Sequence, residues 1–380
     1  GGWRRPGVMD QYRQKLVDGM LERGIAPEYA DRVYKQISGF GEYGFPESHS
    51  VSFALLAYVS SYLKRFYPAA FTASVLNSLP MGFYSPSALV RDARDHGVEV
   101  RPVDVNHSQW DNSLEGPMPY APADLAALPA EWGKSGPALR LGLRQLQGMG
   151  EIAARAMVAE RARGRFESPA EFARRLQKSQ APVTWREFAL LAQAGAFDST
   201  GTSRREALWQ LLGRRGARHK LFANAVDAER QPLLAKLSDQ ESMQLDYKST
   251  SLSLNFHPMQ FLREVLDSRG ILTSRQLAAT QHGKRVAVAG WTVVRQRPGE
   301  GKMLFFTLED EFGAANLMLT PTTFEKYREA ALSPLPVIAR GEVERSGEVV
   351  HLRVRSLEVA EPGLPEDDPK TPRANSRDFH

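Results

Sequence analysis

The chain has 380 residues, of which 42% are hydrophobic and 24% charged, ordinary values for a globular protein of about two to four domains. It contains no cysteine, which excludes a disulfide framework and a thiolate zinc site and favours the cytoplasm. No apolar run reaches the roughly 20 residues of a membrane span, and no signal peptide is visible. We therefore expect a cytoplasmic protein with no membrane partner.

Basic residues are concentrated in the middle of the chain. The net charge is +5, but residues 140–220 hold 16 Lys and Arg against 7 Asp and Glu, a balance of +9 that leaves −4 for the remainder. A domain-sized basic block is what a phosphate-binding surface requires. Solvated helix faces that are rich in arginine are the alternative.

The first 110 residues are predicted to be mainly helical. Helix 50–66 is apolar nearly all round, so we expect it to be the buried centre of this region. The predicted elements are helices over 8–24, 27–39, 50–66, 68–77 and 86–97, followed by a strand over 98–105.

The stretch Gly39–Ser50, GFGEYGFPESHS, has three glycines and a proline and is predicted to be a non-helical loop. A glycine-rich loop that runs into a helix N-terminus is typical of anion sites, because free backbone N–H groups and the helix dipole favour negative charge. His49 at its end could add a proton or a hydrogen bond. A capping or core histidine is the alternative.

A helix-hairpin-helix pattern follows a Pro- and Gly-rich connecting loop at 111–138 and a short strand at 139–143. Gly148 and Gly150 form a glycine–apolar–glycine turn before an Ala-rich helix, and Arg144 and Arg155 flank it. Glycines allow close approach of a phosphate, and the helix start points its N–H groups at it, so the sequence predicts base-independent DNA contact.

A second, degenerate hairpin is predicted from a helix near 185–194, a turn at Gly195–Phe197 and a helix near 204–212. Two copies packed together form the usual compact unit, predicted here over 139–222. A four-helix packing module without a ligand is the alternative for the pair.

Residues 223–283 are predicted to be a linker or helical connector, irregular for most of its length. Within it, Gln240–Leu245 (QESMQL) loosely matches the peptides that bind sliding clamps. An ordinary linker is the alternative, because six residues with this much freedom match often by chance.

Residues 284–360 are predicted to form an OB-fold, since three strands, a helix near 324–332 and two strands occur in that order. Trp291, Phe305 and Phe312 could stack on bases, although aromatics in so small a barrel are more often core. Residues 361–380 are rich in proline and polar residues and are predicted to be a disordered tail.

The run from Gly39 through Asn77 resembles the fingers of bacterial C-family DNA polymerases, relatives of the polymerase III alpha subunit. Pro46 and Glu47 replace the Asn-Lys pair of the replicative branch, a variant of the error-prone, damage-tolerance branch. The resemblance covers essentially the whole chain. It implies a multidomain α + β protein with distal fingers at 1–110, the tandem hairpins and the OB-fold, forming the C-terminal part of a polymerase.

The resemblance also implies that Tyr43 and His49 contact the triphosphate of the incoming deoxynucleotide. C-family polymerases use magnesium ions held by palm aspartates, and we find no such motif here. We therefore expect no catalytic residue and no metal site in this chain, and no activity from it alone. DNA is the implied partner, with a sliding clamp reached through an inactive Y-family-like protein. The alternative is a free-standing DNA-binding or scaffold protein.

Overall fold

The structure, a computed structural model, describes residues 8–43, 47–81, 85–117, 132–177, 183–216, 234–298, 303–360 and 377–378. The chain divides into two compact units, Gly1–Phe71 and Thr72–His380, which are described separately. In these ranges, no helix combines the length and the apolar character needed to cross a membrane. The fold class expected from the sequence is confirmed: helices come first, then a hairpin module, then a β-barrel.

The first unit is helical. Ala30 and Tyr34 are buried, and Arg13 forms an ion pair with Asp31 at 3.1 Å and lies 5.4 Å from the Tyr34 ring centroid. The helices are α1 (Val8–Leu21), α2 (Pro27–Tyr43), α3 (Glu47–Phe66) and α4 (Pro68–Asn77), the last of which continues into the second unit.

The prediction that Gly39–Ser50 is a non-helical loop is wrong at both ends. Helix α2 continues through Gly39 and Gly41 to Tyr43, and α3 begins at Glu47. A glycine in a helix interior costs about 1 kcal/mol relative to alanine, which the helical residues before it can offset. Residues 44–46, between the two helices, lie outside the described residues.

Helix α3 is not the buried centre that its composition predicts. Its side chains are exposed from Val51 to Leu63, with Tyr58 at 70% and Leu55 at 63%. An apolar helix predicts burial only where a neighbour is present to cover it, and in the described part of the chain none does so. The other large exposed side chains are Val51, Phe53, Leu56, Val59, Tyr62 and Leu63.

After the end of α4, the second unit continues with α5 (Pro86–Asp95) and a small sheet. The sheet has the order β1-β3-β2, with β1 (Val100–Arg101) parallel and β2 (Ser113–Glu115) antiparallel to β3 (Ala138–Arg140). Strand β2 lies within the stretch predicted to be a connecting loop. Arg140 and Arg101 both donate hydrogen bonds to the carboxylate of Glu115 and lower its pKa to about 2, so this ion pair persists into acid.

The hairpin module follows as four helices around a cluster of phenylalanines. The side chains of Phe166, Phe172, Phe188 and Phe197 are each at most 2% exposed. Phe172 lies at the centre, edge-on to the other three rings at centroid distances of 4.8, 5.7 and 5.1 Å. The helices are α6 (Glu151–Arg161), α7 (Pro169–Gln177), α8 (Trp185–Gln193) and α9 (Arg204–Gly216), with 3₁₀ turns at Leu143–Gln145 and Asp198–Thr200.

The predicted irregular connector is largely ordered from residue 234 onward. It contains α10 (Asp239–Thr250), a 3₁₀ helix at Pro258–Leu262, α11 (Arg263–Ser268) and α12 (Ser274–Ala278). Helix α10 begins at a capping box, in which Ser238 and Glu241 each accept a backbone N–H of the other. The sequence did not predict this helix, because the apolar spacing of the residues that follow the capping box is weak.

Helix α10 is bonded to the hairpin module. The N–H of Gln147 donates to the carbonyl of Ser249 at 2.7 Å, and Arg204 forms an ion pair with Asp246 at 2.6 Å. Gln240–Leu245 lies inside this helix with Met243 only 3% exposed. Those six residues are therefore not an accessible peptide of the kind that docks on a clamp.

The C-terminal domain is a closed barrel. Strand β4 pairs with both β5 and β7, β7 pairs with β8, and β8 returns parallel to β6, which pairs with β5. The predicted single helix is divided at Tyr327. The elements are β4 (Arg285–Gln296), β5 (Leu304–Asp310), β6 (Gly313–Leu319), α13 (Pro321–Lys326), α14 (Arg328–Leu332), β7 (Val337–Ser346) and β8 (Val349–Val359).

The C-terminal tail contributes one short strand. Strand β9 (Arg377–Asp378) pairs in parallel with Val294 and Arg295 of β4, so the prediction of disorder is wrong for these two residues. The rest of the predicted tail lies outside the described residues.

Candidate nucleic-acid interface

His49 lies in the first turn of α3, a 20-residue helix, with its ring centroid 4.4 Å from that of Phe53. The helix N-terminus thus carries an imidazole where the dipole favours an anion. Tyr43 is the last residue of α2, and its side chain lies outside the described residues, as do residues 44–46. A contact of Tyr43 and His49 with a nucleotide stays a prediction.

The turn of the first hairpin needs its two glycines for different reasons. Gly148 has a φ of +95°, a backbone conformation that residues other than glycine rarely adopt. Gly150 has a φ of −80°, and its N–H donates to the carboxylate oxygen Oε1 of Glu187 at 3.1 Å. A Cβ at Gly150 would lie 3.1 Å from that same oxygen, so close packing is the reason for this glycine.

Glu187 joins the two hairpins. Its side chain is in the first turn of α8 and is only 8% exposed. Oxygen Oε2 accepts the backbone N–H and the hydroxyl of Thr184, both at 2.8 Å, while Oε1 accepts Gly150. The amide of Gly150, predicted to contact DNA, is therefore not free to bind a phosphate while Glu187 holds it.

Seven arginines of the basic block bind carboxylates within the described part of the chain. Arg144 lies 2.6 Å from Asp111 and 6.0 Å from the Trp110 ring centroid, and Arg155, which is 67% exposed, pairs with Glu151 at 2.7 Å. Four of these pairs use carboxylates from outside the block, so they offset four of its nine net positive charges. The remaining pairs are Arg140–Glu115, Arg163–Glu160, Arg175–Glu160, Arg204–Asp246 and Arg205–Glu241.

Arg161 has a structural role. Its Nη1 donates to the carbonyls of Val105 and Ser108, at 3.1 and 2.8 Å, and burial lowers the pKa of its guanidinium. It therefore ties α6 to the segment that follows β1.

Within the basic block, three exposed arginines have no carboxylate partner among the described residues. They are Arg165, Arg174 and Arg186. Arg186 lies beside the first hairpin, since a Cβ built on Gly148 would be 3.6 Å from its Nη2. Sequence reasoning missed this residue because the two positions are 38 residues apart and meet only when the hairpins pack.

The barrel offers a second surface on the outer face of β5, β6 and β8. Phe305 is half-buried there, with its ring centroid 6.3 Å from that of His351, and Asn316 is exposed and paired in register with His351. Trp291 instead belongs to the core, at 8% exposure, with its indole N–H donating to the carbonyl of Pro334. Phe312 is 45% exposed under the guanidinium of Arg275.

The acidic turn at 309–311 has its own partners. Glu309 pairs with Arg91 at 2.7 Å, Glu311 with Arg263 at 2.5 Å, and Asp310 accepts the N–H and hydroxyl of Ser274. These carboxylates are used in cation pairing and helix capping, so they do not suit a magnesium site. Within the described ranges, no group of three or more His, Asp or Glu side chains could hold a metal ion.

Comparisons with known proteins agree with this architecture. Residues 97–207 match the family model "Helix-hairpin-helix motif", and residues 286–360 match "OB-fold nucleic acid binding domain". The first range includes the small sheet, so the matched module begins well before residue 139.

Curated relatives extend the match over the whole chain. Proteins named "Error-prone DNA polymerase" from Methylococcus capsulatus and Alkalilimnicola ehrlichii are 44% and 43% identical over 94% and 100% of this chain, which covers 34% of each. One from Burkholderia pseudomallei is 41% identical over 100% of the chain and again 34% of its own length. The chain is therefore a relative of the error-prone DNA polymerases along its whole length, and it spans about a third of theirs.

Proposed function

We propose that this chain is a segment of an error-prone, template-directed DNA polymerase that holds DNA and the incoming nucleotide during translesion synthesis. The observation that carries the DNA part is that three exposed arginines, Arg165, Arg174 and Arg186, have no carboxylate partner among the described residues of a module that matches a helix-hairpin-helix model. The names of the relatives support the assignment to a polymerase.

Binding to duplex DNA is expected to be independent of sequence and steeply dependent on salt, because guanidinium–phosphate contacts release counterions. Replacing Arg165, Arg174 and Arg186 together by alanine is expected to weaken binding at least about tenfold at roughly 0.1 M salt. The plot of log affinity against log salt should become about 3 units less steep. Fluorescence anisotropy of a labelled duplex over a salt series measures both.

The matched control removes the same charge from arginines that are exposed but already paired. Arg13, Arg163 and Arg328 have side chains 54%, 78% and 59% exposed, each bound to a carboxylate. Their triple alanine variant should bind within about twofold of the wild type, because paired surface charges contribute little. A DNA affinity that does not change with salt concentration would rule out the proposed phosphate contacts.

The N-terminal unit is proposed to contact the nucleotide triphosphate through Tyr43 and His49. In the full-length polymerase, His49→Ala is expected to raise the nucleotide KM about tenfold, which is the effect of losing a hydrogen bond to a charged group. His107→Ala, an exposed histidine in the other unit, is the control. Unchanged KM and kcat in the His49 variant would contradict the assignment.

Catalysis is proposed to use aspartates and magnesium ions in the part of the polymerase outside this chain, so the chain alone is expected to be inactive. A sliding clamp is proposed to be reached through an inactive Y-family-like partner. The burial of Met243 within α10 supports an indirect route. A pull-down with both partner proteins, using chains with and without residues 361–380, tests whether the tail takes part.

A further inference from the structure

We propose that the turn of the first hairpin binds a DNA backbone phosphate through Arg186, a residue of the second hairpin, and not through the amide of Gly150. The inference rests on the proposed DNA binding of this module and specifies the group that makes the contact. It predicts a composite site, in which one hairpin supplies bare backbone and the other supplies the cation.

Arg186 has the accessibility and the position for this role. Its side chain is exposed, and no ion pair or hydrogen bond holds it among the described residues. Its Nη2 lies against Gly148, which has a φ of +95° and presents no side chain. A phosphate can therefore approach the guanidinium along the turn without displacing a carboxylate, which binding at Arg144 or Arg155 would require.

Glu187 excludes the alternative contact. Its carboxylate oxygen Oε1 accepts the hydrogen bond from the Gly150 N–H at 3.1 Å. A phosphate oxygen bound to that N–H would have to take the same position. A phosphate at that amide would have to displace a buried carboxylate, or lie beside it with both charges negative, and either arrangement is unfavourable. The anion is thus directed to the Gly148 side of the turn, where Arg186 lies.

Glu187 also fixes the backbone from which Arg186 projects. Its bonds to the N–H and hydroxyl of Thr184 complete the capping box of α8, and Arg186 lies between these two residues in the sequence. The side chain of Arg186 therefore extends from a helical turn whose backbone is held in place by the capping box. Arginine offers a planar fork of donors that matches two phosphate oxygens, so lysine should replace it only in part.

The test compares single variants in duplex binding over a salt series. Arg186→Ala is expected to weaken binding about five- to tenfold and to make the salt dependence about 1 unit less steep. Arg186→Lys should retain the slope and recover part of the affinity. The control is Arg163→Ala in the same module, which is 78% exposed but paired with Glu160 and should change affinity less than about twofold. Circular dichroism should show unchanged folding, because Arg186 is exposed.

A second variant separates this inference from the proposed function. The double variant Arg165→Ala, Arg174→Ala leaves Arg186 in place. Adding Arg186→Ala to it should make the plot of log affinity against log salt about one unit less steep. If Arg186→Ala behaves like Arg163→Ala while the double variant loses affinity, DNA binding stands and the Arg186 site is wrong. If wild-type binding does not depend on salt, the proposed function itself fails.

Discussion

Replacing Phe172 by alanine is expected to destabilise the hairpin module by about 3–5 kcal/mol, the range for deleting a fully buried aromatic side chain. Phe172 has no exposed surface, and its ring meets Phe166, Phe188 and Phe197 edge-on. Each of these contacts adds attraction beyond simple burial, and all three are lost together. The cavity would lie between the two hairpins, where the helices cannot easily close over it.

Urea unfolding followed by circular dichroism measures this loss of stability. Phe312→Ala removes an equal volume from a side chain that is 45% exposed, so its cost should stay below about 1 kcal/mol. Similar losses in both variants would mean that the four-phenylalanine cluster is not the core of the module. DNA affinity should fall with Phe172→Ala, since the packing of the two hairpins places Arg186 beside Gly148.

Replacing Gly341 by alanine is expected to cost the barrel about 3 kcal/mol or more, because the new methyl group meets backbone. A Cβ at this position would lie 2.1 Å from the carbonyl oxygen of Arg353 and 3.1 Å from the Cα of Val354. The register of β7 against β8 shifts between Arg340 and Gly341, so the close approach belongs to this irregularity. Relief would require separating two strands of the barrel.

Amide hydrogen exchange across β7 and β8, with thermal unfolding, measures the effect. Gly213→Ala is the matched control, because no atom lies within 4 Å of its Cβ position and it lies in helix α9. Alanine is favoured over glycine in a helix, so this variant should be neutral or slightly stabilising. Equal protection of the barrel strands in wild type and Gly341→Ala would contradict the expected clash.

Local sequence patterns predicted those helices and strands whose capping residues and apolar spacing lie within the element itself. The helix expected near 185–194 is α8 (Trp185–Gln193), since its capping threonine and apolar spacing are contiguous. The order of three strands, a helix and two strands in the barrel was also predicted from the sequence. Strand β5 alternates buried and half-buried residues, and the middle of β8 alternates buried and exposed ones. Such signals do not depend on what packs against the element.

Features that depend on distant residues were not predictable from one sequence. Helix α3 is as apolar as a buried helix, yet its exposure is decided by which neighbours are present. Gly148 and Gly150 were found from their spacing, but the carboxylate that takes the Gly150 amide is 37 residues away. For the same reason, the charge count over residues 140–220 is higher than the free positive charge in the structure. The carboxylates that pair with Arg144 and Arg204 lie outside that range.

The junction around Glu309 bears on how the two modules would share one DNA molecule. Arg91 of α5 holds Glu309 of the barrel, and Gln147 and Arg204 hold α10 to the hairpins, so the modules are spaced by contacts within one compact unit. If both surfaces bind one DNA molecule, this spacing makes the second binding event intramolecular at a high effective concentration. Affinity should consequently rise in a step at the DNA length that first spans both surfaces, and not gradually with each added nucleotide.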